Sequence, residues 1–152
     1  MQMEVIPVLR LYRAKKKNSG EWVIGFYVRA YCSMVRDIIL PKDVFADKRD
    51  YERVEFDTFD EVSPDTVGQC SMVEDSYGKM MYEGDVVEGL FHFGMAVNAV
   101  VEFRNGSFGL KFDRGGVNDF SSFTSLSSSV KLKVVGNMWD NPELLWGMNA
   151  HG

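Results

Sequence analysis

The chain has 152 residues, 45% of them hydrophobic and 13% aromatic, and its 22 acidic against 17 basic side chains give a formal net charge of −5. That length suits one domain or two very small ones with enough apolar content to build a core without covalent staples. The acidic balance argues against a general affinity for phosphate backbones, which needs clustered Lys and Arg.

In chain order, Val8, Leu9, Leu11 and Tyr12 form a short apolar run that the turn-forming KKKNSG segment breaks before Glu21 to Val28, EWVIGFYV. This predicts a hairpin in which Trp22, Ile24, Phe26 and Val28 share one sheet face through their period of two, and burying that face provides most of the segment's reason to fold. Ser33 to Leu40 continues as a strand, and the charged stretch from Pro41 reads as a loop or short helix before a strand over Val54 to Phe59. A linker at Ser63, Pro64 and Asp65 places the expected boundary between parts 1–65 and 66–152. Beyond it, Val67 to Val73 predicts a strand, Glu74 to Gly78 a turn, and Lys79 to Tyr82 a short return strand. A further strand starts at Val86, and Gly94 marks a bend before the strand Ala96 to Arg104.

The sharpest local expectation is the hairpin VVEFRNGSFGLKF, because Asn105-Gly106 takes the two positive φ values of a type I′ turn. That turn sets the register: Arg104 opposite Ser107, Phe103 opposite Phe108, Val101 opposite Leu110. Ala99, Val101 and Phe103 then share a face with Phe108, Leu110 and Phe112, and Glu102, Arg104 and Lys111 face solvent. The Gly- and Ser-rich stretch DRGGVNDFSSFTSLSSS has the composition of a mobile loop, with Phe120, Phe123 and Leu126 as its anchors. Val130 to Val135 predicts a strand, and Asn141 before Pro142 and Glu143 signals the N-cap of a short final helix.

The residues that carry chemistry are few. Cys32 and Cys70 have neither the paired spacing of a zinc site nor the density of a disulfide framework, and both are expected as reduced core thiols. His92, in LFHFGM, reads as an ordinary strand histidine, and His151 lies beside the terminus. Ser107 follows Gly106 directly and so fails the spacing of a nucleophile elbow. Glu55, Asp57, Asp60 and Glu61 lack calcium-loop spacing and its glycine, and read as a solvated acidic loop. No metal or cofactor is expected. Asp85, at the entry of its strand, is expected to accept hydrogen bonds from nearby backbone amides rather than to act as an acid or base. Arg13, Lys15, Lys16 and Lys17, with Trp22 close by, form a candidate patch for phosphate contact and base stacking. Tyr77, Tyr82 and Trp139 are the candidates for an exposed aromatic groove that binds a peptide.

Several blocks carry a resemblance. Arg13 to Lys17 precede Gly20-Glu21-Trp22-Val23; Pro64 to Gln69 reads PDTVGQ; Gly78-Lys79 and Tyr82-Glu83-Gly84-Asp85-Val86-Val87 follow; and Val135-Gly136-Asn137 with Asn141-Pro142-Glu143-Leu144-Leu145 closes the chain. In this order and spacing they resemble the YopX proteins of bacteriophages and prophages over nearly the whole length. The chain departs from that pattern at Cys70, Ser71, Met72 and Val73, where the family tends to an aromatic residue, Thr, Gly and Leu, and at Tyr77, where it tends to Asn. The resemblance implies a mainly β protein: a small SH3-like β-barrel over roughly Thr66 to Trp146, a β-rich N-terminal part and a short C-terminal helix. Within its motifs Gly68, Gln69, Gly78, Tyr82, Glu83, Gly84, Asp85, Gly136, Asn137, Asn141 and Pro142 are expected to be structural. It brings no catalytic residues. The expected function is that of a noncatalytic phage or prophage accessory protein that binds a phage or host protein, or itself, with nucleic-acid binding through the basic hairpin as the alternative. Without an apolar run long enough for a signal peptide or a membrane span, a place in the cytoplasm of the bacterial host, off the membrane, is expected.

Overall fold

The computed structural model describes residues 10–31, 33–41, 59–90, 94–114, 117–126 and 130–146. The expected strand at Val54 to Phe59 lies, but for Phe59, outside them, as do Cys32, Glu55, Asp57, His92 and His151. Among the described residues the fold is mainly β, with two antiparallel five-stranded sheets and one short helix. The chain divides into two compact units, Met1–Gln69 and Cys70–Gly152.

In the first unit β1 (Tyr12–Lys15), β2 (Trp22–Tyr31) and β3 (Val35–Leu40) form a meander. The expected hairpin is present, with Tyr12 opposite Gly25 and Lys15 opposite Trp22. Both faces of the meander bury side chains: on the expected face Ile38 and Leu40, opposite Val28 and Phe26, are buried, and the other face carries a second cluster. Ala14, opposite Val23, packs with Ile39 and Val62, and Tyr12, Val23, Tyr27 and Val67 close around them. Ile24, on the face expected to be buried, is exposed. Both faces of β2 carry apolar residues, and each meets buried neighbours across the ladder, Ile38 and Leu40 of β3 on the expected face and Ala14 of β1 on the other. Residues 59–62 then run along β3: Val62 N donates to the Asp37 carbonyl at 2.8 Å, and Ile38 bridges Glu61. The expected linker is a single 3₁₀ turn over Pro64–Thr66, tied to β1 because Lys15 N donates to Thr66 Oγ1 at 2.9 Å.

Strand β4 (Gly68–Glu74) begins against β1, with Gly68 opposite Arg13, and from Cys70 onward pairs with β5 (Met80–Tyr82). The second unit continues through β6 (Asp85–Leu90), β7 (Ala96–Arg104), β8 (Ser107–Arg114), β9 (Val117–Ser122) and β10 (Lys131–Asn137), ending in α1 (Glu143–Trp146). Its sheet runs β10-β6-β7-β8-β9, so the last strand returns beside the first. The β7–β8 register is the expected one, Val101 opposite Leu110 and Phe103 opposite Phe108, with Asn105 and Gly106 at φ 50° and 80°. Met81, Val87, Ala99, Val101, Leu110, Phe112 and Val134 form the core. Each large aliphatic or aromatic side chain among them contributes roughly 1.5–3 kcal/mol by leaving water.

The described residues of the Gly- and Ser-rich stretch are not the mobile loop its composition suggests. Val117–Ser122 is strand β9, registered on β8 from Arg114 opposite Val117 to Gly109 opposite Ser122, and a 3₁₀ turn over Phe123–Ser125 follows. Phe123 and Leu126 anchor it as expected by packing on the core. Composition measures what a segment can bury, whereas an edge strand holds its place through backbone bonds to its neighbour, which Ser makes as well as any residue.

Candidate functional site

The basic hairpin comes first because the sequence singles it out. Register places Arg13, Lys15, Trp22 and Ile24 on one face, and the Arg13 guanidinium and Lys15 ammonium lie 4.8 and 5.3 Å from the Trp22 ring centroid. Such cation–aromatic contacts favour the positive groups staying on the ring. The rest of the run is matched by acids. Lys16 Nζ lies 2.9 Å from Asp60, which raises its pKa, and Lys17 Nζ lies 3.4 Å from Glu61. Glu61 also takes Arg36 at 2.5 Å, and these partners, Arg36 first, lower its pKa. The Asp60-Glu61 pair expected as a solvated acidic loop is thus the counter-charge of the Lys run.

Beside it, sequence reading missed Asp37. It is buried, accepting from Arg29 Nε at 2.8 Å and from the Tyr27 hydroxyl at 2.5 Å. The Arg29 bond lowers the Asp37 pKa, while burial and the Asp37 contact raise that of Tyr27.

The motif residues of the second unit converge on one junction. Asp85, 1% exposed, accepts from Tyr82 N at 2.8 Å and fixes the Glu83-Gly84 turn between β5 and β6, the role expected of it. Gly84 N donates to the Val101 carbonyl, and Met138 N donates to the Gly84 carbonyl, both at 2.9 Å. Trp139 packs closely against Gly84: an added Cβ there would sit 2.2 Å from its ring, and φ is +88°. Opposite it, Asn137 Oδ1 accepts from the amides of Trp139 and Asp140, and Asn141 Oδ1 accepts from Asn137 N. That carboxamide fills the space a Cβ would need at Gly136. Leu144 N and Leu145 N donate to the carbonyls of Asn141 and Pro142, starting α1. Tyr82 is buried and Trp139 half-buried here, so of the three candidate groove aromatics the structure leaves Tyr77 outermost, 71% exposed, with the Lys133 ammonium 5.7 Å from its ring centroid. Gly68 and Gln69 sit in the ladder to β1, and Gly78 closes the Asp75 turn by donating to the Asp75 carbonyl.

The third place is the β4–β5 hairpin. Cys70 pairs with Tyr82 and Glu74 with Met80, so Ser71, Met72 and Val73 face a single residue, Met81, across a bulge. Ser71 holds it: its hydroxyl donates to the Met81 carbonyl at 2.7 Å and accepts from Val73 N at 3.1 Å. Met72 sits at φ +60°, a conformation unfavourable for a side-chain-bearing residue and the position where the family resemblance expects Gly. Its side chain is 71% exposed, Val73 is exposed as well, and the buried free Cys70 thiol contacts Met72 Sδ at 3.7 Å. A depression of about 230 Å³ lies alongside, lined by Val73, Met81, Phe123, Leu126, Val130 and Leu132 with Glu74, Asp75 and Ser76 at its polar side. Asp75, also missed in the sequence, is buried and accepts from Tyr77 N, Lys79 N and Val134 N, each at 2.9 Å. Burial raises its pKa, and these amides outweigh that and leave it lowered. The D-S-Y-G turn pattern was the available signal, since Asp favours capping its own turn.

Among the described residues no group of three or more His, Cys, Asp and Glu is gathered as a metal ion would require, and no helix is long and apolar enough to cross a membrane. No curated protein matches the chain. The family model described as YopX protein matches residues 11–146, almost the full length, and with the motif junction accounting for its separated blocks the chain belongs to the YopX family.

Proposed function

We propose that this is a noncatalytic accessory protein of a phage or prophage that acts in the cytoplasm of its bacterial host by binding another protein or a second copy of itself. The second unit is read as an SH3-like barrel, a reading supported by the return of β10 beside β6 after the 3₁₀ turn at Phe123–Ser125. The observation that carries the functional reading is Met72: an apolar side chain held out to solvent on a backbone at φ +60°, beside exposed Val73 and an apolar depression. Strain of this kind persists only where surrounding bonds impose it, as Ser71 does here, and it concentrates at binding sites.

Met72→Gly tests the reading by separating stability from binding. Glycine relieves the backbone and raises stability by roughly 0.5–1 kcal/mol. The same variant, alone and with Tyr77→Ser, loses stoichiometric companions when the tagged protein is pulled from phage-infected cells after nuclease treatment. Full capture by the double variant sinks the proposal.

A second reading, nucleic-acid binding, is favoured by the Arg13–Trp22–Lys15 face alone. It requires affinity that falls steeply with salt and with charge reversal at Lys15 to Lys17; the engagement of Lys16 and Lys17 by Asp60 and Glu61 weighs against it.

A further inference from the structure

The sheet of the second unit has an edge at each end, and the two are finished differently. Among the described residues β9 ends the order with no strand beyond it. β10 is covered by the turn between β4 and β5, which stands in for a missing strand. Ser76 N donates to the Leu132 carbonyl, Leu132 N donates to Ser76 Oγ, and Val134 N donates to Asp75 Oδ2, each at 2.9 Å. Leu132 and Val134 are alternate residues, so these bonds occupy the backbone groups that point away from β6 and would otherwise template another strand.

The cover is light. Two of its three bonds come from side chains, and the hairpin behind it has two register pairs separated by the Met72 bulge. Charge identifies what the edge beneath would accept. β10 presents exposed Lys131 and Lys133. Antiparallel pairing of two β10 strands centred on Leu132 would set Lys131 directly opposite Lys133, a like-charge pair that destabilises a ladder. β9 instead presents exposed Asp119.

We propose that the Asp75–Ser76 turn is an edge seal, and that the β10 edge it covers is built to take the β9 edge of a second copy. Such a contact joins unlike surfaces head to tail and extends the sheet from molecule to molecule. The inference rests on the self-association arm of the function proposed above and names its surfaces.

The test uses the full chain as Asp75→Asn/Ser76→Ala and as the milder Ser76→Ala, with Ser76→Thr as the variant that keeps the hydroxyl. In dilute protein, before edges pair, amide exchange at Leu132 and Val134 should quicken by about three- to tenfold, one hydrogen bond's worth, while amides in β7 and β8 stay protected. Mass by sedimentation should rise with concentration in the opened variants and not in Ser76→Thr. Adding Asp119→Lys should abolish the rise. Faster exchange with unchanged mass, or a mass increase that survives Asp119→Lys, overturns the proposal. If the double variant unfolds throughout, Ser76→Ala decides on the same terms. Partner capture through Met72 and Tyr77 is scored on the same proteins: retained capture without edge pairing sinks the seal alone, and pairing without capture sinks partner binding alone.

Discussion

Replacing Gly84 by Ala probes the junction that binds the family motifs together. The new methyl group would sit 2.2 Å from Cζ3 and 2.3 Å from Cη2 of Trp139, on a residue whose φ is +88°. The left-handed backbone alone costs an alanine about 1–2 kcal/mol. The ring is rigid and cannot fold aside, so it must leave the Gly84 surface and give up part of its burial, a further loss of about 1–2 kcal/mol. Together these come to about 2–4 kcal/mol, which for a chain of this size lowers Tm by roughly 5–15 °C. The assay is denaturant unfolding followed by circular dichroism, on Gly84→Ala, Trp139→Ala and the double variant. Without the ring the methyl group loses the three contacts nearest to it, so Gly84→Ala should cost mainly its backbone share there, a coupling of about 1–2 kcal/mol. Equal costs in both backgrounds would refute the close approach, and a cost below about 0.5 kcal/mol in the parent would refute the backbone argument as well.

Asp37→Asn should destabilise the first unit by about 1–3 kcal/mol, because the Asn carbonyl still accepts but the negative charge that strengthens the bonds from Tyr27 and Arg29 is gone and an NH2 group is buried in its place; half-exposed Arg29 keeps the loss toward the low end. The parent's Asp37 and Asp75 both have lowered folded pKa values. Their stabilisation is therefore full above the unfolded pKa near ~4 and is lost as pH falls through the folded values. Asp37→Asn should flatten that acid limb in thermal melts between about pH 5 and 2, and an unchanged slope would count against the Arg29 contact. Gly106→Ala, at φ 80°, should cost about 1 kcal/mol and speed amide exchange across β7 and β8 first. Protection lost elsewhere before that hairpin would contradict its local role.

How much of this was legible depended on whether the deciding partner was near in sequence. Asn105-Gly106 fixes a register by its own backbone, and the pairs from Arg104–Ser107 to Val101–Leu110 follow without further information. Asp85 likewise bonds an amide only three residues away. Asp75 reaches Val134, and Ala14 packs with Ile39 and distant Val62 beneath β2; neither relation leaves a local trace. Met72 is intermediate. Its departure from an expected glycine was visible, but its exposure on a bulge needed the pairing of Cys70 with Tyr82.

The return of β10 beside β6 also orders events during synthesis. A ribosome releases β6 before β7, β8 and β9 and β10 only after them, so the first strand of the sheet waits for its neighbour while those three assemble on its other side. Val134 and Leu132, which complete the core, arrive with that last strand. A nascent chain stalled before residue 131 would display the bare flank of β6 and an unfinished core, the kind of surface that chaperones hold, and the non-local closure makes the final step the slow one.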